Sequence, residues 1–336
     1  MRITLVTETF FPAVDGTTTT VKAVVDRLVD TGHDVQLIAP GPGLTTYRGC
    51  PVVRIRPLDK PGGQVRDALA AFRPDLVHVT SPATVGRKAL KHAHRLGIAT
   101  LVVEQSATLS GVTADRTLVT SRWMLGRDAH LWAPGVDTAA FTPALRDTWL
   151  HDRWSRARSL PKPLVVVGYV GSLRNRHDVR RLVELSRVPG IRPVIVGDGP
   201  QRSWLEARLP GAKFTGTLST GDLTAVLPAF DLLVHPGERE TCCHALREAG
   251  ASGVPVVAPR SGGAPDVVRH LETGLLYDET HRHGLRDAVH ALAADNSRAL
   301  LGERGRALAS RSWIEAVDEL VTYHYRPLMT RTTTVG

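Results

Sequence analysis

The sequence predicts an α/β chain built as two doubly wound domains, and three observations carry that prediction. Strand-sized apolar runs alternate with helix-period segments along the chain. The alternation runs through twice, with a polar stretch bearing Arg and Trp near 142–162 between the two passes. The length, 336 residues, is too great for one ordinary core and suits two domains of about 150 residues each.

The first pass opens with an apolar strand over 3–6, a loop TETFFPAVDGTTTT, and a helix with Val21, Val24, Val25, Leu28 and Val29 at helical spacing. Gly32 ends that helix, and strands follow over 35–39 and 52–55. A helix over 64–72 leads to a strand over 76–79 with Thr80, Ser81 and Pro82 at its mouth. A helix over 84–96 is closed by Gly97, before strands over 99–103 and 117–120. The second pass places strands over 164–169, 193–196, 213–215, 231–235 and 255–258. Helices fill the gaps over 179–185, 202–208, 222–229, 241–251, 264–269 and 285–294. The domains are therefore expected at 1–141 and 163–311, with 142–162 as connector. A last helix over 312–323, with Trp313, Val317, Leu320 and Val321 on one face, is expected to pack back toward the first domain, and the polar tail 329–336 to fray.

Composition narrows the function. Hydrophobic residues at 42% and charged residues at 22% are the proportions of a soluble globular chain. No apolar run approaches the roughly 20 residues that a membrane helix needs. The opening MRITLVTETFF lacks the long apolar region and cleavage site of a signal peptide, so it is expected as a strand of a cytoplasmic chain. Cys50, Cys242 and Cys243 make neither a disulfide framework nor a zinc site, and the histidine pairs His92/His94 and His281/His283 lack metal-ligand spacing. No metal is expected. The net charge of +9 leans toward the first half and suits phosphorylated ligands, nucleic acid or the inner face of an anionic membrane. Trp149, Trp154 and the connector arginines are compatible with such a surface or with a hinge packed on a domain edge.

The most informative stretch is HPGERETCCHALREAGASGVPVVAPRSGGAPDVV. It holds Glu240 and Glu248 around an expected helix start at Thr241, whose backbone N–H groups suit a phosphate. Eight residues span a little over two helical turns, so both carboxylates are expected on one face. One can take a sugar hydroxyl and the other a ribose diol, since each accepts paired hydroxyl hydrogen bonds. Two glutamates at this spacing also suit a solvated helix face.

This stretch resembles the donor-site signature of the family-four retaining glycosyltransferases. Four further segments match in order: TETFFPAVDGTTTTV, RPDLVHVTSP, GVDTAAFTP and VIVGDGPQRSWLEARLPGAKFTG. The resemblance runs from residue 1 to about 290 and is nearest to bacterial GDP-mannose-dependent α-mannosyltransferases. It implies the GT-B architecture, two Rossmann-like domains facing a nucleotide-sugar cleft, here with a shortened N-terminal domain. It implies a nucleotide-sugar donor, GDP-mannose ahead of a UDP-sugar, a hydroxyl acceptor (lipid, glycan or small molecule) and no obligatory cofactor. By the same resemblance Glu248 holds the ribose and Glu240 orients donor-sugar hydroxyls. The backbone near Thr241, Cys242, Cys243 and His244 meets sugar and β-phosphate. Gly197, Asp198 and Gly199 border the base, and Gly16 lets the backbone approach the diphosphate.

The chain departs from the family pattern at three places. Ser172 and His177 stand where relatives carry the Arg and Lys that neutralise the leaving diphosphate, which leaves Arg174, Arg176 or a protonated His177 as local substitutes. Losing one preorganised group of this kind commonly costs on the order of 10²–10³ in rate. Gln105 aligns with a polar residue that faces the reacting sugar, but the Asp that follows in relatives is missing. Relatives also have roughly 30 more residues where only 109–115 remains, so acceptor identity is not carried over. A nucleic-acid glycosyltransferase and a degenerate donor-binding protein are the competing readings. The lack of an aromatic-interleaved basic strip weighs against the first, and the glutamate pair against the second.

Overall fold

A computed structural model describes residues 1–56, 58–308 and 311–332. The chain divides into two compact units, 1–135 with 313–336 and 136–312. Each unit is a doubly wound α/β layer.

In the first unit, strands β1 (Arg2–Thr7), β2 (Asp34–Pro40), β3 (Thr46–Tyr47), β4 (Cys50–Ile55), β5 (Leu76–Thr80), β6 (Ala99–Glu104), β7 (Arg116–Val119) and β8 (Ala129–Leu131) form one sheet in the order β3-β4-β2-β1-β5-β6-β7-β8. Only the short β3–β4 pairing is antiparallel. Side chains alternate across the sheet with period two. Ile3 and Leu5 of β1 enter one core with Val21, Val24, Val25 and Leu28 of helix α1 (Gly16–Asp30). Val6 enters the other, with Val65 and Leu69 of α2 (Pro61–Phe72) and Val85, Ala89 and Leu90 of α3 (Thr84–Arg95). Asp15 caps α1 by accepting from the Thr18 amide at 2.9 Å.

The second unit carries β9 (Val165–Val170), β10 (Ile191–Val196), β11 (Lys213–Gly216), β12 (Leu232–Val234), β13 (Val256–Pro259) and β14 (Gly274–Tyr277) in the order β11-β10-β9-β12-β13-β14, with every strand pairing parallel. Its helices are α4 (Thr148–Ser155), α5 (Arg202–Glu206), α6 (Thr220–Val226), α7 (His244–Ala251), α8 (Gly284–Ala294) and α9 (Arg298–Leu308). The stretch 179–187 is a 3₁₀ helix.

The unit boundary falls six residues before the expected Phe141, for a local reason. Val136 and Phe141 are buried in the second unit's core, and the Arg306 guanidinium donates to the carbonyls of Thr138, Phe141 and Ala251. The stretch 142–162 is not a bare connector: Trp154 of α4 stacks on Phe230 with ring centroids 5.7 Å apart.

The chain re-enters the first unit at Trp313. Helix α10 (Trp313–Glu319) continues through a π-helical stretch, Leu320–Tyr325, into α11 (Arg326–Thr332). Ala316, Val317, Leu320, Val321, Tyr325 and Leu328 complete the core over α1. Trp132 Nε1 donates to the Ala316 carbonyl at 2.8 Å, and Arg27 grips the Asp318 carboxylate with two bonds of 2.8 and 2.7 Å. His78 of β5 meets the Tyr325 hydroxyl at 2.6 Å, and burial pushes this histidine down to about 3, so it is neutral. The helix thus runs past Met329, into the expected tail, whose last residues 333–336 lie outside the described ones.

Two substitutions on this last segment separate core from surface. Leu320→Ala removes a fully buried side chain and is expected to cost about 2–5 kcal/mol of unfolding free energy. Ile314→Ala, at a side chain 56% exposed, is expected to stay within about 0.5 kcal/mol. Denaturant melts of both variants check the pair, and equal losses would contradict the assignment of this helix to the first unit's core.

Candidate active site

The second sheet ends in three loops, of which the first two meet through backbone. After β9 the chain runs Gly171–Ser172–Leu173 into a 3₁₀ turn, Asn175–His177. After β10 it runs Gly197–Asp198–Gly199. Gly197 has φ +130°, and a Cβ there would overlap the Gly171 carbonyl oxygen, so only glycine lets the loops touch. The Gly171 amide donates to the Val196 carbonyl at 3.0 Å, and that of Leu173 to the Asp198 carbonyl at 2.9 Å. Asp198 is itself held by Arg202 at 2.8 Å. Ser172 offers its carbonyl to the Tyr169 hydroxyl at 3.2 Å. Arg174 is exposed, and its guanidinium has no partner among the described residues.

The third loop follows β12 and brings Glu240 to the other two. Its Oε1 lies 2.9 Å from His177 Nδ1 and 3.3 Å from His235 Nε2. The first contact is a hydrogen bond; the second is an ion-pair distance without hydrogen-bond alignment. Burial opposes the charge on Glu240, whose side chain is 19% exposed. The two imidazoles outweigh it and hold the carboxyl well below the usual carboxylate range. Arg176 Nε donates to His177 Nε2 at 3.1 Å. A guanidinium nitrogen only donates, so Nε2 is the acceptor of this contact and Nδ1 carries the N–H aimed at Glu240.

The backbone packs tightly around this cluster. A Cβ on Gly237 would lie 2.9 Å from His235 Nε2 and 3.2 Å from Glu240 Oε1. Gly263 donates its amide to the Glu240 carbonyl at 2.8 Å, and Glu238 donates its own to the Asp178 carboxylate at 3.0 Å.

Helix α7 begins at His244, three residues later than expected. Cys243 sits at φ +53°, a left-handed conformation that cannot continue a helix backward to Thr241. Glu240 therefore lies in a loop, and helical spacing does not relate it to Glu248. Thr241, Cys242 and Cys243 are buried. Burial raises the Cys243 thiol well above its ordinary value, so it packs and does not react. The half-buried Arg247 donates to the Cys242 carbonyl at 3.1 Å and ties the helix to the loop before it.

Glu248 sits in the second turn of α7, and its carboxyl has no hydrogen-bond partner among the described residues. Desolvation pushes it up to about 7. One carboxylate of the pair is thus satisfied and charged, the other unsatisfied and near its titration point.

The first unit holds the remaining two expected site residues, each at a strand's carboxyl end. Gly16 opens α1 after the β1 loop, and Gln105 follows β6, its backbone N–H donating to Ser81 Oγ at 3.2 Å. The preceding Glu104 is buried and accepts from the Ser110 amide at 2.9 Å and from its hydroxyl. His235 was not singled out by the sequence, although it stands at the mouth of a buried strand, where such folds bind ligands. It stacks on Tyr169 at 12° between ring planes.

Comparison with known proteins agrees along nearly the whole chain. Residues 14–136 match the family described as Glycosyltransferase Family 4, and residues 151–308 the one described as Glycosyl transferases group 1. A GDP-mannose-dependent alpha-mannosyltransferase of Mycolicibacterium smegmatis is 36% identical over 98% of this chain and 98% of its own. A Corynebacterium glutamicum protein of the same name is 31% identical over 97% and 88%. Among solved structures, sucrose-phosphate synthase from Thermosynechococcus elongatus superposes with a TM-score of 0.81 at 20% identity, covering 98% of this chain and 99% of that one. Anabaena HepE, in complex with UDP, gives 0.80 at 15% identity, covering 97% and 100%.

The raised Glu248 gives a stability prediction with a definite sign. A carboxyl whose value is higher folded than unfolded contributes stability below the unfolded value, near 4.5, and loses it as pH rises through about 7. Glu248→Gln removes that loss. The ligand-free variant is expected to melt higher than wild type at pH 8, by on the order of 1–3 kcal/mol, and no higher at pH 4. Parallel melting curves across that range would contradict the desolvated, unpaired state.

Proposed function

The chain belongs to glycosyltransferase family 4, and on that premise we propose that it transfers a mannosyl group from GDP-mannose to a hydroxyl acceptor with retention of configuration. In this reading the bond from the sugar's C1 to the β-phosphate oxygen breaks, and its electron pair leaves with the diphosphate. The acceptor oxygen bonds to C1 from the same face, and its proton passes to the departing phosphate oxygen. The protein stabilises the oxocarbenium-like state and the growing phosphate charge.

One observation carries the assignment: the unequal states of Glu240 and Glu248. A preformed, imidazole-held carboxylate suits hydroxyls of the sugar that reacts, because its direction is fixed before the donor arrives. An unsatisfied, desolvated carboxyl suits a ribose diol, which supplies the partners that the described residues do not. The first turn of α7 faces a β-phosphate with N–H groups that no intrahelical acceptor takes. Gly197, Asp198 and Gly199 border the base, and Thr241, Cys242, Cys243 and His244 carry the backbone that meets sugar and phosphate. Gly16 and Gln105 keep the roles that the resemblance gives them. With Ser172 uncharged and Arg176 engaged by His177, Arg174 is the loop cation assigned to the leaving diphosphate; its fork can hold two phosphate oxygens and stays charged. The acceptor's class stays open, and the basic balance leaves room for contact with an anionic membrane face.

Nucleotide binding tests the donor. At 100 times its dissociation constant GDP is expected to add about 2.7 kcal/mol of stability, with UDP and ADP adding less at equal concentration. No stabilisation by any of the three would sink the reading.

Variants separate the roles. Glu248→Ala is expected to weaken GDP by about 10–100-fold, the loss of a charged hydrogen-bonding group. Glu240→Ala is expected to spare GDP and lower turnover of GDP-mannose, and Arg174→Ala to slow turnover by about 10²–10³. Equal loss of GDP binding in both glutamate variants would overturn the assignment.

A further inference from the structure

We propose that His177 is a positioning residue for Glu240: an imidazole, oriented by Arg176, that aims the carboxylate at the donor sugar. This rests on the reading of Glu240 as the sugar contact. The position is one where relatives carry a cation for the diphosphate, so the obvious expectation is that His177 does the same work when protonated. The geometry points elsewhere.

Arg176 Nε, 3.1 Å away, occupies His177 Nε2 as its donor. Protonating that nitrogen would break the bond and set an imidazolium against a guanidinium. Nδ1–H then has one use, the 2.9 Å bond to Glu240 Oε1. His235 approaches the same oxygen at 3.3 Å, from a ring fixed by its stack on Tyr169. Gly237 leaves no space for a side chain beside Glu240, and Gly263 pins the Glu240 carbonyl. The backbone is thus fixed on one side and Oε1 on the other, which sets the plane of the carboxylate. A hydroxyl that meets the carboxylate finds it already oriented. The substitution away from the family's Lys therefore moves a residue from the phosphate to the carboxylate, and leaves the phosphate to Arg174.

Three substitutions distinguish positioning from charge. His177→Ala removes the N–H. His177→Asn keeps a neutral side-chain N–H near the Nδ1 position. His177→Lys restores the family's cation. Each is measured for GDP affinity by calorimetry and for turnover of GDP-mannose, with a melting curve to show that it folds. Positioning predicts that His177→Ala lowers kcat by on the order of 10²-fold with GDP affinity unchanged, and that His177→Asn recovers more of kcat than His177→Lys. A phosphate cation predicts the reverse: GDP affinity falls in His177→Ala and in His177→Asn, and His177→Lys recovers both constants. That result, or wild-type kcat in His177→Ala, overturns the proposal.

A second readout needs no turnover. The ¹⁵N spectrum of the wild-type histidines at pH 8 is expected to show the His177 proton on Nδ1 with Nε2 bare; a proton on Nε2 overturns the arrangement. If wild type binds GDP yet never turns over GDP-mannose, the donor reading fails, while the spectrum still decides the tautomer.

Discussion

A carboxylate withdrawn from water has to be paired, and the second unit is built around meeting that demand at Glu240. Two separate strand ends converge to do it. β12 delivers His235, the loop after β9 delivers His177, and the loop after β12 delivers Glu240 itself. None of these groups is adjacent in sequence, so the ion cluster exists only once the parallel sheet has aligned its strand mouths. The glycine contacts belong to the same constraint. Gly197 against Gly171, and Gly237 against His235 and Glu240, are close approaches that any side chain would spoil. Side-chain electrostatics and backbone clearance therefore specify one arrangement together.

The parts that were legible in the sequence are those set by local periodicity. β1, β2, β5, β6, α1 and α3 follow from alternation and helical spacing, because their apolar faces meet a sheet or helix directly. Helix α9 does not. Its sequence RALLGERGRAL replaces an apolar stripe with Gly302 and Gly305, which press on the backbone at Gly253 and Gly250. Close backbone packing takes the place of buried side chains, and periodicity carries no trace of it. The helix start at His244 was illegible for a related reason. The sequence ETCCHALRE has no proline or capping residue at that point, and the break is a single left-handed residue, Cys243.

The candidate site divides along the same line. Glu240 and Glu248 could be singled out from their spacing and context, since residue type and order suffice for that. Their charge states could not, because these depend on His177 and His235, 63 and 5 positions away from Glu240, and on the absence of a partner for Glu248 among the described residues. His235 was open to recognition, as a polar residue closing a buried strand. The tautomer of His177 was not: it follows from the direction of one guanidinium nitrogen.

The contrast between the two glutamates has an energetic logic. Satisfying both carboxyls within the folded chain would stabilise it and leave nothing for a ligand to gain, because a ligand hydroxyl would only exchange one partner for another. Leaving both unsatisfied would cost stability twice and give the ligand two poorly oriented acceptors. This chain holds one in place and leaves the other open. The held carboxylate contributes direction, which matters most where bonds are changing and small displacements are expensive. The open one contributes affinity, since burying a diol against it relieves a desolvation penalty already present in the free protein. Stability given up at Glu248 is the counterpart of binding, as expected of a site built for function. Orientation and affinity can then be changed separately by substitution, because different residues set them.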